Sequence, residues 1–258
     1  MELTAPNGTL RLRGEGAVLT VTLDRPREQN SITPGLMADL HGALDRAEAD
    51  PGCRVVVLRA EGSAFCSGMD LHAAAAGTDD LAAHGGERFL GLLKRLTTVE
   101  RIVVSCVDGR ASGGGVGIVA ASDLVHATPG SQFGLPEALW GLLPCCVLPY
   151  LIRRVGFQRA YAMTLSTLPV GAADAARCGL VDELADDPEP ALRRLLVRAT
   201  KLEGSTIGDL KRYFRRMWIV SEEMEADAVR EFGRLMHSPV ARERITAFAS
   251  GARMPWDR

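Results

Sequence analysis

Short, wholly apolar runs in the first half of the chain constrain its fold more than any other feature. Residues 54–60 read RVVVLRA and residues 102–107 read IVVSCV. Each run is too short for a helix and lacks the alternation of a half-exposed strand, so it is typical of a strand buried on both faces. Residues 17–23 and 124–127 are further strand candidates, and the intervening residues 34–49 and 81–96 have helical spacing. The alternation predicts an α/β fold with a parallel sheet.

Beyond residue 136 the strand signals fade and helical spacing dominates. Six segments favour helix: 148–166, 172–178, 188–201, 206–218, 221–236 and 239–250. We therefore expect an α/β core over residues 1–195 and a C-terminal helical region over residues 196–258.

Composition narrows the class of protein. The 258 residues contain 30 Lys and Arg against 32 Asp and Glu, a net charge of −2, with 47% hydrophobic residues. These values exclude a disordered chain and argue against a protein that coats nucleic acid. No segment reaches the roughly 20 apolar residues of a membrane span, and no apolar run of a signal peptide opens the chain. The six cysteines lack zinc-type spacing, so we expect a reduced, cytoplasmic protein with no metal site and no membrane association.

Two glycine-bearing loops follow the two buried strands. They read AFCSGMD over residues 64–70 and DGRASGGGVG over residues 108–117. Unpaired N–H groups in such loops can bind one carbonyl oxygen together, which is an oxyanion hole. Alternatively, the glycines only permit tight packing of strand and helix. Residues 115–120 also match a dinucleotide fingerprint formally, but their glycines begin several residues after the strand.

Several motifs occur in an order and spacing that resemble the crotonase (enoyl-CoA hydratase/isomerase) superfamily. They are LDRP at 23–26 with Asn30, FCSGMD at 65–70, DG at 108–109 with SGGG at 112–115, FGLPE at 133–137 with GLLP at 141–144, and Ala175 with GLV at 179–181. The resemblance covers roughly residues 18–181. It implies a spiral of stacked ββα units, a thioester substrate, and homotrimers or hexamers that assemble through the C-terminal helical region.

The resemblance also assigns roles to individual residues. It places the two oxyanion-hole N–H groups on Met69 and Gly114 and the catalytic carboxylate on Glu137. We expect the neighbouring residues to contact substrate: Cys66, Gly68, Asp70, His72, Gly113 and Trp140. Asp70 and His72 have the equal alternative of capping and solvating their loop, and Glu137 that of an acidic residue at a helix N-terminus.

One position departs from the pattern of the family's hydratases. Those enzymes carry two glutamates, and here the first position is Gly117, while the second is Glu137, 20 residues later. Two carboxylates suit the addition of water, with one as base and one as acid, whereas one carboxylate suits a proton shuttle or an elimination. A carboxyl group beside Leu135, Leu139 and Trp140 is also expected to have a raised pKa.

A closer resemblance is to the dehydratases of polyketide β-branching, carried by residues 65–70, 119–123, 146–149, 152–160 and the terminal Pro255 and Trp256. It implies dehydration of a 3-hydroxy-3-methylglutaryl thioester on an acyl carrier protein to the 3-methylglutaconyl thioester, with no cofactor beyond the phosphopantetheine of the carrier or CoA. The alternatives are an acyl-CoA hydratase/isomerase or decarboxylase of the same superfamily, and a non-catalytic binding protein with the same fold.

Other charged and nucleophilic residues leave choices open. Arg153 or Arg154 could bind the distal substrate carboxylate. Cys66 and Cys146 could be nucleophiles, but no adjacent base is evident, which favours buried packing cysteines instead. A basic stretch over residues 193–216 either forms a solvated helix face or docks an acidic carrier protein. Its cations are Arg193, Arg194, Arg198, Lys201, Lys211, Arg212, Arg215 and Arg216.

Overall fold

A computed structural model describes residues 2–76, 79–218, 220–252, 254 and 256, without the side chains of residues 79–83. Within these residues the strands are β1 (Glu2–Thr4), β2 (Leu10–Glu15), β3 (Val18–Leu23), β4 (Val55–Ala60), β5 (Ala64–Cys66), β6 (Ile102–Val107), β7 (Arg110–Ser112), β8 (Leu124–Ala127), β9 (Gln132–Gly134), β10 (Val170–Gly171) and β11 (Glu183–Leu184). The helices are α1 (Pro34–Ala49), α2 (Leu71–Ala75), α3 (Asp79–Leu96), α4 (Gly114–Ala121), α5 (Leu148–Val155), α6 (Phe157–Ser166), α7 (Ala172–Arg177), α8 (Glu189–Ala199), α9 (Gly204–Met217), α10 (Glu222–Met236) and α11 (Pro239–Ala249).

The strands form a large and a small sheet. The large sheet has the order β1-β2-β3-β4-β6-β8-β11, with an antiparallel β1–β3 meander and parallel pairing from β3 onward. The small sheet has the order β10-β9-β7-β5, in which β5, β7 and β9 run parallel. The predicted parallel sheet is confirmed.

Successive strand pairs divide between the two sheets. In each of the pairs β4–β5, β6–β7 and β8–β9 the first strand enters the large sheet and the second enters the small one. Helices follow each pair, namely α2 and α3, then α4, then α5 after a short 3-10 turn at Glu137–Trp140. This repetition confirms the predicted spiral of stacked ββα units.

Both faces of the large sheet are buried along β4 and β6, which explains the apolar runs of these two strands. Val56 and Leu58 point into the main core beneath α1, α3 and α4, whereas Val55 and Val57 pack against Leu192 of α8 on the opposite face. Successive side chains of a strand alternate between faces, so a strand covered on both sides is apolar throughout. The predicted boundary between the α/β core and the C-terminal helical region, after residue 195, lies within helix α8.

Two details differ from the sequence-based expectations. The predicted helix over 148–166 is two helices, because Gly156 has a φ of +76°, outside the helical region. The three-residue strands β5, β7 and β9 lie in segments expected to be loops or left unassigned, since such short strands show no periodicity. The alanine run at 73–76 and the polar residues that follow it to 80 predict a mobile surface segment. Residues 77 and 78 of that segment lie outside the described residues, as does Pro255. No helix in the described ranges is long and apolar enough to cross a membrane.

Candidate active site

The two glycine-bearing loops meet where β5 and β7 end side by side. Gly68 has a φ of +89°, and a Cβ atom on it would lie 2.8 Å from the carbonyl oxygen of Ser112 and 3.3 Å from the nitrogen of Gly114. A side chain at this position would therefore force the loops apart and strain the backbone. Glycine at 68 brings the segment that leads into Met69 directly against the N-terminus of α4.

Hydrogen bonds fix the backbone on both sides of Met69. The N–H of Ile32 donates to the carbonyl oxygen of Gly68 at 2.7 Å, and the N–H of Asp70 donates to the carbonyl oxygen of Ile32 at 3.2 Å. The N–H of Met69 itself has no acceptor among the described residues. Its neighbours are thus held while it stays free to bind a ligand.

The second free donor is the N–H of Gly114, the first residue of α4. The first N–H groups of a helix have no intrahelical acceptor, and that of Gly114 meets none elsewhere in the described part of the chain. The preceding Gly113 is held by its own N–H, which donates to the carbonyl oxygen of Gly134 at 2.9 Å. Met69 and Gly114 both line one cavity, as an oxyanion hole requires.

Glu137 brings its carboxylate to the same loop. It begins the 3-10 turn after β9, and its Oε1 lies 3.1 Å from the position that a Cβ on Gly113 would take. The residue is partly exposed as a whole, but its Oε2 is buried and has no hydrogen-bonding partner in the described structure. Burial raises the pKa of Glu137 to about 7, which suits a group that must take and return a proton near neutral pH.

Gly117 faces a closed, apolar wall. A Cβ atom at this position would lie 3.0 Å from Cγ2 of Val147 and 3.3 Å from both Cδ1 of Leu93 and Cζ of Phe89. The space that a second carboxylate would need is filled by hydrocarbon. The apolar surroundings of Gly117 are thus consistent with the absence of a glutamate at this position. Glu137 is the single carboxylate among the described residues that line the cavity.

The cavity encloses about 130 Å³ and is mainly apolar. Its walls come from distant parts of the chain, including Phe89 of α3, Val147 before α5 and Phe232 of α10. Ser67 and Ser112 supply hydroxyl groups, and no Lys, Arg or His is found in the lining that the structure describes. Nothing in the local sequence around Phe232 marks it as a site residue, since it comes from a helix far along the chain.

Six of the nine predicted site residues line this cavity: Gly68, Met69, Gly113, Gly114, Glu137 and Trp140. The other three lie outside the lining. Cys66 is fully buried behind the loop, where a Cβ on Gly115 would meet its carbonyl oxygen at 2.4 Å. Asp70 accepts hydrogen bonds from the N–H of Ala73 and from Ser31 Oγ. His72 packs its ring 5.1 Å from that of Phe248.

The two arginines considered for the distal carboxylate bind main-chain oxygens instead. Arg153 donates to the carbonyl oxygen of Ala120 at 2.7 Å, at the end of α4. Arg154 donates to the carbonyl oxygen of Gly179 and pairs with Asp182 at 3.0 Å. Neither lines the cavity, so both stabilise the scaffold.

The cysteines near the site are poor nucleophiles. Burial raises the pKa of the Cys66 and Cys146 thiols to about 12 and that of Cys145, which lines the cavity, to about 11. A thiol with such a pKa is almost entirely protonated at neutral pH. The interpretation of Cys66 and Cys146 as packing residues agrees with these environments.

Half of the eight cations in the basic stretch pair with acidic residues, and none of the eight lines the cavity. Lys211 pairs with Asp123 at 2.6 Å, and Arg215 pairs with Glu225 at 2.6 Å. Arg194 and Arg212 also have acidic partners. The remaining cations of α8 lie on the side of the large sheet opposite α3 and α4, which form the cavity.

The chain matches the family described as enoyl-CoA hydratase/isomerase over residues 13–254. It is 30% identical over 251 residues to the bacillaene synthase dehydratase PksH of Bacillus subtilis, covering 96% of each protein. It is 29% identical over 258 residues to the carnitinyl-CoA dehydratase of Proteus mirabilis, covering 96% of this chain and 98% of that one. The crystal structure of Bacillus subtilis pksH, described as a polyketide biosynthesis enoyl-CoA hydratase, superposes with a TM-score of 0.89 at 29% identity, covering 96% of this chain and 99% of that one.

Proposed function

Because this chain belongs to the enoyl-CoA hydratase/isomerase family, we propose that it is a lyase that removes water from a 3-hydroxyacyl thioester. The observation that carries the proposal is the placement of Glu137, a single buried carboxylate against Gly113, beside the free N–H groups of Met69 and Gly114. The apolar wall at Gly117 leaves elimination as the chemistry that one carboxylate serves best.

The reaction proceeds through an enolate. The thioester carbonyl oxygen accepts hydrogen bonds from Met69 and Gly114, and the Glu137 carboxylate takes a proton from C2. The electron pair of the C2–H bond then forms the enolate. Its collapse makes the C2=C3 double bond and breaks the C3–O bond, and the proton on Glu137 passes to the departing hydroxide to give water. One carboxylate thus serves as base and then as acid.

The environment of Glu137 favours both steps. Its pKa of about 7 leaves a large fraction of the carboxyl groups ionised at neutral pH, ready to accept the proton. The raised value also makes the carboxylate a stronger base than an exposed glutamate. The buried Oε2 has no hydrogen-bonding partner in the described structure, so this atom is free to accept the proton.

For the substrate, we infer a 3-hydroxy-3-methylglutaryl group on the phosphopantetheine arm of an acyl carrier protein, converted to the 3-methylglutaconyl thioester. Full-length similarity to a dehydratase of bacillaene synthase supports this assignment. The apolar walls suit the 3-methyl group, and the hydroxyls of Ser67 and Ser112 and the indole of Trp140 are the neutral donors in the described lining that suit the distal carboxylate.

The second candidate is an acyl-CoA hydratase or isomerase that acts on an uncharged acyl chain. The cavity lining favours it, since the described part carries no cationic side chain and a buried carboxylate without a cation is costly. The two candidates differ in the charge of the acyl group and in the carrier.

Intact-protein mass spectrometry distinguishes these functions. A purified acyl carrier protein is loaded with 3-hydroxy-3-methylglutaryl or with 3-hydroxybutyryl, and each is incubated with the enzyme beside the matching CoA thioesters. Loss of one water from the 3-hydroxy-3-methylglutaryl carrier in preference to the others is the expected result. A preference for 3-hydroxybutyryl-CoA would favour the second candidate. Loss of carbon dioxide would indicate a decarboxylase, and no change in any thioester would indicate a binding protein.

We propose further that the chain forms a homotrimer or hexamer through its C-terminal helical region. Leu210, Phe214 and Met217 are exposed at helical spacing on α9, and an apolar stripe of this kind is typical of a surface that packs against a partner. Light scattering coupled to gel filtration gives the mass directly. A monomer at micromolar concentration would contradict the proposal.

A further inference from the structure

The C-terminal helix α11 contacts both halves of the candidate active site. On one side, Leu71 and Ala75 of α2, the helix that follows Met69, pack against an apolar cluster that contains Ala241 and Ile245 of α11. On the other side, α11 lies against the 3-10 turn that begins at Glu137. A single helix thus joins the segment after one oxyanion-hole residue to the turn that carries the carboxylate.

Aromatic rings complete this link. The ring of Phe248, at the end of α11, lies 5.1 Å from that of His72 in α2 and 5.2 Å from that of Trp140 in the turn. Trp256 packs edge-on against Trp140 with ring centroids 5.2 Å apart. Aromatic pairs of this kind stabilise a contact beyond the area that they bury.

Arg244 makes the polar contact of α11 with the turn. Its Nη1 donates to the carbonyl oxygen of Leu139 at 2.6 Å, and its guanidinium carbon lies 5.8 Å from the ring centroid of Trp256. Within the turn, the oxygens of Pro136, Glu137 and Ala138 accept backbone bonds from Leu139, Leu142 and Gly141. The oxygen of Leu139 has no other donor in the described structure.

The end of the turn fits α11 closely as well. Gly141 has a φ of +73°, and a Cβ atom on it would lie 2.9 Å from Cγ1 of Val240 in α11. The turn therefore meets α11 both through a charged hydrogen bond and through direct backbone packing. A short 3-10 turn with no side-chain cap depends on such outside contacts for its conformation.

We propose that Arg244 is a positioning residue that holds the Glu137 turn against α11. It thereby keeps the carboxyl group of Glu137 next to Gly113 and shielded from water. The expected loss of activity rests on the proposed function, whereas the expected change in the surroundings of Glu137 does not. Arg244 is not among the described residues that line the cavity, and it acts through the carbonyl oxygen of Leu139.

The kinetic test compares Arg244→Ala with wild type in the dehydration assay. We expect kcat to fall about 10- to 100-fold, since displacement of a reacting group by about 1 Å has effects of this size, while KM changes less than about threefold. Arg244→Lys keeps one donor for the carbonyl oxygen and should recover most of the lost kcat. Arg242→Ala removes an exposed arginine from the same helix and should behave as wild type.

The second readout is the titration of Glu137, followed by carboxyl 13C NMR and assigned with Glu137→Gln. Loosening the turn admits water, so the apparent pKa in Arg244→Ala should fall from about 7 toward its ordinary value. Loss of a positive charge alone would move it upward, so the direction separates solvation from charge. An unchanged titration and unchanged kcat in Arg244→Ala would overturn the proposal, whereas an inactive wild type with the expected shift would overturn only the proposed function.

Discussion

The Oε1 atom of Glu137 lies 3.1 Å from the position that a Cβ atom on Gly113 would take. This closeness joins the two parts of the site, because Gly113 immediately precedes the free N–H of Gly114. A carboxylate that reaches the oxyanion-hole loop can act on the carbon next to a carbonyl bound there. The glycine is required because any side chain would occupy the space next to the carboxyl group.

Gly68→Ala should abolish most activity. Its methyl group would meet the carbonyl oxygen of Ser112 at 2.8 Å with the backbone at a φ of +89°, so the N–H of Met69 would move. Loss of one oxyanion-hole donor lowers kcat by about 100- to 1000-fold. Steady-state kinetics measure this loss. The matched control is Gly91→Ala in α3, which has no atom within 4 Å and should keep activity and gain up to about 1 kcal/mol of stability. Equal activities of the two variants would contradict the assignment of the loop.

Gly117→Glu should not create a hydratase. The new side chain would enter a wall formed by Val147, Leu93 and Phe89, and an unpaired carboxyl group buried there costs several kcal/mol. We expect the free energy of unfolding in urea to fall by about 3 kcal/mol or more, against about 1 kcal/mol for Gly117→Ala. A stable Gly117→Glu enzyme that adds water to an enoyl thioester faster than wild type would refute this view of the wall.

The stability of the protein should depend on pH through Glu137. Its folded-state pKa of about 7 exceeds the ordinary value of 4.5, so the folded state holds a proton that the unfolded state has released between these values. Stability from this group is complete below pH 4.5 and is lost as the pH rises through 7. The loss is on the order of 3 kcal/mol.

Urea unfolding of wild type and Glu137→Gln at several pH values measures this contribution. The glutamine variant lacks the titrating group, so its stability relative to wild type should increase from pH 4.5 to above pH 7. A constant difference between the two proteins across this range would show that burial does not raise the pKa of Glu137.

Cys146→Ala should retain turnover. The thiol donates to the carbonyl oxygen of Gly86 at 3.6 Å, and burial raises its pKa to about 12. We expect kcat per folded molecule to stay within about twofold of wild type. Cys178→Ala, a change of the same kind on α7's C-terminal side, is the control. Loss of activity in Cys146→Ala alone would indicate that this thiol takes part in the reaction.

The sequence predicts the large parallel sheet because its strands are buried on both faces and therefore apolar throughout. It does not predict β5, β7 and β9, which have three residues each and are defined by pairing with one another across the chain. Nor does it predict the break at Gly156 within a continuous helical pattern, because glycine within a helix is disfavoured but tolerated.

The candidate site also contains residues that the sequence identifies and residues that it does not. The family motifs single out Met69, Gly114 and Glu137, and the structure brings all three to the lining of one cavity. The motifs identify these residues even though the short strands that precede them are not predictable. Phe232 and Arg244 belong to amphipathic helices of the C-terminal region, where nothing local distinguishes a site residue from any other helical residue. Arg153 and Arg154 are the opposite case. The sequence suggests them as site residues, but both bind carbonyl oxygens of the scaffold.

The most direct test is the rate of water loss from a carrier protein loaded with 3-hydroxy-3-methylglutaryl, measured by intact-protein mass spectrometry for wild type and Glu137→Gln. Glutamine preserves the shape of the side chain but cannot take the C2 proton. We expect dehydration by wild type and a rate at least about 100-fold lower in the variant, with unchanged folding. Dehydration by Glu137→Gln at a rate near that of wild type would contradict this expectation.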